Sequence, residues 1–451
     1  MKLVEKSRTP SLLQTLQLIA QPTKFLEDCA TKYGDTFTVR VLGLKSPPVV
    51  FFSHPQAISD CFAVPAHKLD FKKATYVFKP LFGENSIVLQ EARSHYRQRQ
   101  LLLPAFHGDR MKSYGKIICQ ITEECTKSWT ENSSYSIHKV MSDITLQIIL
   151  QVVFGISPGV RYQQLQEKLS SLLENVTKPW YSSLFFVPWL QQDLGTWSPW
   201  GNYLKKREQI DKLIYAEIYE RRLQNDVTRT DILSLLMSAH DENGEQMTDE
   251  ELRDQLVSLL LLGYETTSGV LAWAFYLIHS HLEVKNQLMQ ELSSLDDYTP
   301  EAISQLPYLT AVCQETLRIY PIALICTPRM VKDSVEIMGS KFEPGTVLVP
   351  SIYLAHRRAE TYPEPEKFQP ERFLNQKFSP YEYLPFGGGY RGCIGAAFSM
   401  YEMKLVLATI LSQFQLALTD NRPVHPVRRG ITIVPRGGVQ MVVTEKAKVK
   451  S

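Results

Sequence analysis

The sequence predicts a mainly helical protein with small β-sheets, folded as one domain over residues 1–451. Helical periodicity dominates residues 94–320 and returns at about 395–415. Strand-like patterns are confined to short parts that lie far apart, at about 36–60, 322–352 and 425–444. No linker-like or repeated stretch separates these parts, so we expect one large unit rather than several domains.

The composition argues against several classes of protein. Basic and acidic residues number 49 and 47, so the chain has no global attraction to nucleic acid. The seven cysteines are scattered and form no C-x-x-C pair, which argues against a disulfide framework or a four-thiolate zinc site. The apolar segment from Leu12 to Ala20 is too short to span a membrane, and no signal-peptide pattern is present. We expect a soluble, cytoplasmic protein with at most peripheral membrane contact.

Short β-branched or apolar runs predict the strands. Residues 36–52 predict a hairpin, and a further strand is expected at Val347 to Ser351. Near the C-terminus, Gly430 to Thr444 predicts another hairpin, turning at 435–438.

The best-defined helix starts at Thr248, which has the capping-box spacing to Glu251, and runs toward His279. It is apolar nearly all round and should be buried. Its middle nevertheless reads Gly263-Tyr-Glu-Thr-Thr-Ser-Gly269, which a buried helix tolerates only at a cost. Two interpretations remain open: a helix opened beside a group that needs hydroxyls and a proton donor, or a glycine-containing helix contact.

A glycine-rich loop with one cysteine precedes the last predicted helix. It reads Phe386-Gly-Gly-Gly-Tyr-Arg-Gly-Cys393-Ile-Gly395. The glycines allow positive φ and a close approach of the backbone to another group. Cys393 lies at a helix N-terminus with Arg391 two residues away, which favours the thiolate, the form that binds metal or attacks as a nucleophile. A buried structural cysteine is the simpler alternative.

This loop resembles the haem-binding loop of the cytochrome P450 family, and the resemblance covers essentially the whole chain. The segment Glu315-Thr-Leu-Arg318 is similar to the family's E-x-x-R helix, and Pro370-Glu-Arg372-Phe is similar to the motif that follows it. Residues 263–267 are similar to the oxygen-activating helix. These motifs occur in the family's order and spacing.

The resemblance implies the cytochrome P450 fold, with the long helix over a haem b and the cysteine loop on the proximal side. Cys393 would ligate the iron. Glu265 would relay protons and Thr266 would donate a hydrogen bond during oxygen activation. The remaining cofactor contacts would come from Arg391, Arg99, His95 (where the family more often has Trp), Arg329, Phe386 and Gly395.

The resemblance also assigns a structural network. Glu315, Arg318 and Arg372 would form buried salt bridges on the proximal side of the haem. Without the resemblance, Glu315 and Arg318 are only an i, i+3 surface pair.

The implied activity is that of a haem-thiolate monooxygenase, which inserts one oxygen atom of O2 into a C–H bond. Electrons would come from a ferredoxin or flavodoxin with its reductase, because the chain carries no flavin or nicotinamide fingerprint. A local excess of basic residues at 93–112 predicts the docking surface. The resemblance is to soluble bacterial hydroxylases of fatty acids and terpenoids, so we expect a lipophilic substrate.

Apolar side chains predict a substrate pocket and a lid. The pocket candidates are Phe71, Tyr76, Phe78, Leu262, Ile322 and Leu324. The aromatic lid would contain Trp180, Phe185, Phe186, Trp189, Trp197 and Trp200. Two alternatives remain: a haem-thiolate isomerase or dehydratase acting on hydroperoxides, and a non-catalytic haem sensor. The intact Glu265–Thr266 pair argues against the first, and the lack of an output domain argues against the second.

Overall fold

The computed structural model describes residues 5–6, 9–41, 46–156, 159–178, 181, 183–186, 190–224, 226 and 228–446. Within these residues helices predominate. They are α1 Ser11–Ala20, α2 Pro22–Tyr33, α3 Pro55–Ala63, α4 Phe71–Thr75, α5 Lys79–Phe82, α6 Ala92–Leu102, α7 Asp109–Thr126, α8 Ile137–Phe154, α9 Val160–Val176, α10 Pro199–Gln224, α11 Ile232–Ser238, α12 Asp249–Ser280, α13 Leu282–Ser293, α14 Pro300–Ser304, α15 Pro307–Ile319, α16 Ile352–Ala355, α17 Arg372–Asn375 and α18 Ala396–Gln413. This confirms the predicted fold class.

Short strands form small sheets from distant parts of the chain. They are β1 Glu5–Lys6, β2 Thr36–Val39, β3 Val49–Phe52, β4 Leu69–Asp70, β5 Ser134–Ser136, β6 Arg329–Val331, β7 Val335–Ile337, β8 Ser340–Phe342, β9 Val347–Pro350, β10 Phe414–Leu418, β11 Pro426–Arg429, β12 Thr432–Pro435 and β13 Gln440–Lys446. One sheet has the order β1-β2-β3-β9-β6-β4, another β10-β13-β5, and β11–β12 and β7–β8 are separate hairpins.

The strand predictions had mixed outcomes. The hairpin at 36–52 is confirmed, because β2 pairs antiparallel with β3. The strand near Val347 is β9. The hairpin predicted over Gly430 to Thr444 is wrong: β12 pairs with β11, whereas β13 pairs with β10 and β5. The chain between β12 and β13 forms a 3-10 turn at Arg436–Gly438, which directs β13 into another sheet.

The long helix α12 is the centre of the hydrophobic core. Thr248 caps it in a capping box with Glu251, as predicted, and it runs uninterrupted to Ser280. It packs against α8, α15, α18 and the β11–β12 hairpin. Both α8 and α12 are long and apolar enough to cross a membrane, but 72% and 78% of their apolar windows are buried inside the protein. Burial on this scale identifies them as core helices.

The two glycines of α12 allow neighbours to approach closely. A Cβ at Gly263 would lie 2.9 Å from Ile149 Cδ1 on α8. A Cβ at Gly269 would lie 3.2 Å from Val434 on β12 and 3.3 Å from Ile322. The packing interpretation therefore holds for these glycines, and the helix is not opened at either.

Candidate functional site

The cysteine loop brings a thiol to the start of α18. Cys393 N–H donates to the Phe386 carbonyl at 2.9 Å, which closes the loop, and Gly395 is the N-cap of α18. The Cys393 side chain is accessible from one side and otherwise enclosed by protein. This enclosure raises the pKa of the Cys393 thiol, although an N–H of Gly395 and the charge of Arg99 act in the opposite direction.

The expectation that Arg391 stabilises the thiolate is wrong. The Arg391 guanidinium donates to the Ile87 carbonyl at 3.2 Å and to the Gln90 carbonyl, away from the sulfur. The basic residue whose charge acts on Cys393 is instead Arg99, and its Nη1 donates to the Gly392 carbonyl at 2.8 Å. Because the pKa is raised overall, the loop by itself does not ionise Cys393, whereas a bound metal ion would deprotonate it.

Arginines from three distant segments meet beside this loop. Arg391 and Arg329 both lie over the Phe71 ring, at 4.4 and 5.6 Å from its centroid. Arg99 reaches the same loop from α6. His95 is buried one turn before Arg99, and its ring lies 5.9 Å from that of Tyr390. We call Arg99, Arg329 and Arg391 the arginine cluster.

The arginine cluster lacks a protein counter-ion. Among the described residues, no carboxylate forms an ion pair with any of the three, and the buried Nε atoms of Arg329 and Arg391 have no hydrogen-bond partner. Desolvation lowers the pKa of Arg391 to about 10, with Arg329 acting in the same direction. Burial and the nearby charges of Arg391 and Arg99 lower the pKa of His95 to about 3, so the ring is neutral. A cluster of desolvated cations without a counter-ion is costly, so the arginine cluster suits a ligand that carries anionic groups.

Two glycines shape the loop in different ways. A Cβ at Gly388 would lie 2.3 Å from the ring of Phe62 on α3, so the loop is pressed against that helix. A Cβ at Gly395 would meet no atom within 4 Å, and its φ of −90° requires no glycine. The space beside Gly395, two residues after Cys393, is therefore open, as close approach of a flat ligand to this loop would require.

One stripe of α12 is only partly buried. Its members are Leu259, Leu262, Gly263 and Thr266, spaced i, i+3, i+4 and i+7 on a helix that is otherwise packed. The Thr266 hydroxyl donates to the Leu262 carbonyl at 2.6 Å. The next hydroxyl, that of Thr267, lies 3.3 Å from Ser399 on α18, which joins α12 to the helix that follows Cys393.

Glu265 points away from this stripe. It is 5% exposed, and its Oε1 lies 2.9 Å from Nε of Arg429 on β11. Burial raises the pKa of Glu265 to about 7, although the charge of Arg429 lowers it. The carboxyl can therefore exchange a proton near neutral pH. Glu265 and Thr266 are consecutive, but the Glu265 side chain contacts the β11–β12 hairpin and the Thr266 side chain lies on the partly buried stripe.

The structure brings Glu315, Arg318 and Arg372 together. Glu315 Oε2 accepts from Arg318 Nε at 2.6 Å, and its Oε1 lies 3.3 Å from Arg372 Nε. Both Glu315 and Arg318 are fully buried, so the surface-pair interpretation is wrong. The second guanidinium edge of Arg318 donates to the carbonyls of His356 and Pro365, which ties α15 to the segment that leads into the loop.

The predicted substrate-pocket residues separate into three groups. Leu262 lies on the partly buried stripe of α12, Ile322 packs against Gly269 of that helix, and Phe78 is partly buried. Phe71 packs on the arginine cluster, and Tyr76 is 54% exposed beside Lys79. Leu324 packs on the core cluster that includes residues of β2 and β9.

The lid prediction is only partly covered by the described residues. Trp180 and Trp189, and the side chain of Phe186, lie outside them. Trp200 is buried, with its ring 5.6 Å from that of Phe185, whereas Trp197 is 80% exposed. Trp200 is therefore a core residue.

Sequence reasoning missed several residues at the site. Arg429 contacts Glu265, Tyr390 packs between His95 and Phe71, and Phe62 supports Gly388. Tyr390 could have been found, since it lies inside the glycine loop. No sequence motif around Arg429 or Phe62 would have assigned either residue to the site.

Comparison with known proteins agrees with this geometry. The family model described as "Cytochrome P450" matches residues 5–441. A protein of Mycobacterium tuberculosis with the provisional name cytochrome P450 135B1 is 33% identical over 97% of this chain and 90% of its own length. Another from that organism, provisionally named cytochrome P450 137, is 32% identical over 91% of this chain and 83% of its own. The cyanobacterial CYP120A1, solved with retinoic acid bound, superposes with a TM-score of 0.85 at 24% identity, covering 99% of this chain and 100% of that one.

The site fits the cofactor of that family. Haem b offers an iron atom for the Cys393 thiol and two propionates for the arginine cluster, and its flat ring matches the open side of Gly395. The match over nearly the whole length, and the identity to curated relatives, establish that the chain belongs to the cytochrome P450 family of haem b-dependent monooxygenases.

Proposed function

We propose that this enzyme hydroxylates a lipophilic small molecule, a fatty acid or a terpenoid, with electrons from a ferredoxin or flavodoxin and its reductase. The observation that carries the proposal is the position of Thr266 on the partly buried stripe of α12, next to the buried, titratable Glu265. That helix is joined through Thr267 and Ser399 to α18, the helix that follows Cys393. The proton source thus lies on a helix that contacts the one beginning directly after the thiol ligand.

The cofactor would be held from two directions. Cys393 would ligate the iron, and Arg99, Arg329 and Arg391 would neutralise the propionates, with His95 placed to donate to one of them. Bound haem with a thiolate ligand supplies the electron density that favours cleavage of the O–O bond. The protein contributes the ligand, the charges and the proton path.

Proton delivery would use two side chains that act in sequence. Glu265, with its pKa near 7, can take a proton from solvent on the side of the β11–β12 hairpin. Thr266 donates to its own helix at 2.6 Å, and rotation about χ1 would turn the same hydroxyl toward a ligand on the stripe. The ion pair with Arg429 keeps Glu265 titratable while it is buried.

An apolar substrate suits the surfaces next to Thr266. Leu259 and Leu262 share its stripe, and Ile322 packs one turn beyond it. The cyanobacterial structural relative was solved with retinoic acid, an apolar chain with one carboxylate. A fatty acid or terpenoid has the same character.

An acidic redox partner suits the face around α6 and α7. Arg93, Lys112 and Lys116 are exposed there, and Arg99 links α6 to the cysteine loop. Arg97 would contribute little, because it already pairs with Asp241 at 2.5 Å and Glu251 at 2.7 Å. A cytoplasmic location agrees with an electron supply of this kind.

Product analysis tests the proposal. The haem-loaded protein is incubated with NADPH, a reductase–ferredoxin pair and a library of fatty acids and terpenoids, and products are identified by mass spectrometry. We expect substrate-dependent products that gain one oxygen atom from labelled O2. Rearranged or dehydrated products from added hydroperoxides, without any use of O2, would instead assign the enzyme to the isomerase class.

The Thr266→Ala variant tests the role of the stripe. We expect NADPH consumption to continue while product per NADPH falls roughly tenfold or more, because loss of one positioned proton donor typically costs 10²–10⁴-fold in proton transfer. The conservative Thr266→Ser variant keeps the hydroxyl and should retain most of the coupling. Equal coupling in all three proteins would remove Thr266 from this role.

A further inference from the structure

The first helix, α1, presents its apolar side to solvent. Leu12, Leu13 and Leu16 are 71%, 46% and 63% exposed, whereas Ser11 and Gln14 are buried. At 100° per residue, the three leucines share one face with Ala20, which is exposed, and Ile19, which is half-buried. A helix on the surface of a globular protein normally has the opposite arrangement.

The buried polar side explains how this orientation is fixed. The Gln14 amide donates to the Thr9 carbonyl at 2.5 Å, and its oxygen accepts the N–H of Arg40 at 3.1 Å. Gln14 therefore attaches α1 to the end of β2 with the leucines outward. In the described part of the chain, no other element covers Leu12, Leu13 or Leu16, since all three remain exposed with every neighbour in place.

The charges around this face indicate what covers it. The helix itself carries no charged residue from Ser11 to Ala20. Before Phe25 the sequence has four basic residues, Lys2, Lys6, Arg8 and Lys24, against the single acidic residue Glu5. Arg40, bonded to Gln14 through its backbone, and Lys24 on α2 are both exposed. On the acidic side, Glu27, which accepts from the Tyr353 hydroxyl, and Asp28 are both exposed on α2.

We propose that the leucine face of α1 binds an anionic lipid surface. An uncharged apolar helix face in a segment of the sequence with an excess of basic residues is typical of helices that insert into the headgroup region of a bilayer, where basic side chains meet lipid phosphates. The helix has only ten residues, so it lies on the membrane and does not cross it. The enzyme would thus be held at the membrane, in which lipophilic molecules are dissolved.

Vesicle binding by the full-length, haem-loaded protein tests this. Wild-type protein is sedimented with vesicles of phosphatidylcholine containing one third phosphatidylglycerol, and separately with pure phosphatidylcholine. We expect binding to the anionic vesicles that weakens with added salt, and little binding to the neutral ones. The variant Leu12→Gln, Leu13→Gln, Leu16→Gln should lose at least about tenfold in the partition coefficient, because most of the inserted apolar surface is removed.

A matched control distinguishes this face from exposed leucines in general. Leu282, Leu223 and Leu374 are 69%, 68% and 45% exposed on other helices, close to the values in α1. Their combined change to Gln should leave vesicle binding unaltered. Because all six leucines are exposed, both variants should fold and hold haem with the wild-type absorption spectrum.

Other outcomes would overturn the proposal. Absence of wild-type binding, or equal binding by wild type and the α1 variant, excludes the leucine face as a lipid site. If gel filtration without lipid gives a dimer for the wild type and a monomer for the α1 variant, the face is covered by a second copy instead. Equal binding to neutral and anionic vesicles would contradict the role of the cations.

Discussion

At the scale of single residues, the environment of Glu265 is the most informative feature. The carboxyl is buried in a helix of the core, and Arg429 is the charged group that faces it at 2.9 Å. Desolvation favours the neutral acid and the guanidinium favours the carboxylate, and the balance places the pKa at about 7. A stronger ion pair would lower the pKa of Glu265 below the neutral range, and loss of the ion pair would raise it above that range. In both cases the carboxyl would no longer exchange protons near pH 7.

Replacing Arg429 with Gln should move this balance. Loss of the cation leaves desolvation unopposed, so the pKa of Glu265 rises above 7 and the limb of the pH profile that depends on it shifts to higher pH. The measurement is product formed per NADPH consumed between about pH 6 and pH 9. Glu265→Gln should abolish the limb.

The neighbouring Arg428 provides a control for this experiment. Its Nε donates to the Gly430 carbonyl at 2.8 Å within the hairpin turn, and no described contact joins it to Glu265. Arg428→Gln should therefore leave the pH profile in place. A profile that is the same in the Arg429→Gln variant and the wild type would show that Arg429 does not set the pKa of Glu265.

Residue identities could be predicted from sequence more easily than their partners. Glu265 and Cys393 stand out because each violates a local rule: the first is an acid in an apolar helix and the second is a cysteine among glycines. Thr266 is found because it follows Glu265. Arg429 violates none, since an arginine beside a turn is ordinary. Its contact with Glu265 depends on how β11 lies against α12, which no local pattern encodes.

At the scale of elements, the cysteine loop depends on α3. Gly387 and Gly389 have positive φ of 69° and 64°, the conformations for which glycine was expected. Gly388 has an extended backbone that any residue could adopt. Glycine is needed there for packing, because the ring of Phe62 on α3 occupies the space that a Cβ would fill. The sequence predicts positive φ or a close approach of the backbone for these glycines, and at Gly388 the close approach is to a side chain of the protein itself. The ring that requires glycine there belongs to a helix more than three hundred residues earlier in the sequence.

Two glycine substitutions should separate folding from cofactor binding. Gly388→Ala should lower the free energy of unfolding by roughly 1–3 kcal/mol, as overpacking does, because the new methyl group meets Phe62 at 2.3 Å. Gly395→Ala should leave the stability of the haem-free protein within about 0.5 kcal/mol of wild type but reduce haem content. Urea denaturation and haem titration provide the two readouts.

A compensating change checks the packing argument. Combining Gly388→Ala with Phe62→Ala should restore part of the lost stability relative to Phe62→Ala alone, since the two side chains then no longer overlap. If Gly388→Ala destabilises equally with and without the ring, the close contact is not the cause.

The strand pairing near the C-terminus shows why local patterns were insufficient. The run from Gly430 to Thr444 has hairpin character, yet Gly437 and Gly438 adopt positive φ of 77° and 79° and send the two strands into different sheets. Strand identity was therefore predictable from residue type, whereas strand partners depended on tertiary contacts.

At the scale of the whole molecule, burial of carboxyl groups links stability to pH. Glu402 on α18 is 1% exposed, and burial raises its pKa from 4.5 to about 8, with the hydroxyl of Thr145 on α8 acting in the opposite direction. A raised pKa means that the folded state holds the proton more tightly than the unfolded chain. Its contribution to stability is therefore complete below about pH 4.5 and is lost as the pH rises through about 8.

The Glu402→Gln variant should remove this dependence. Between about pH 5 and pH 8 the wild type should lose roughly 1.4 kcal/mol per pH unit through this one group, and the variant should lack that slope. The measurement is the free energy of unfolding in urea at several pH values, compared with Glu283→Gln, an exposed position on α13. Equal slopes in wild type and Glu402→Gln would show that Glu402 ionises freely in the folded state.

The arginine cluster joins parts of the chain that are made at very different times. Arg99 belongs to the first quarter, whereas Arg329, Arg391 and the ligand Cys393 come only as synthesis nears its end. A chain that ends before residue 393 therefore contains part or all of the arginine cluster but lacks the cysteine that would ligate the haem iron. Haem absorbance in a cell extract should therefore report chains extended beyond Cys393, and a shortage of haem during expression would leave three neighbouring guanidinium groups without a counter-ion.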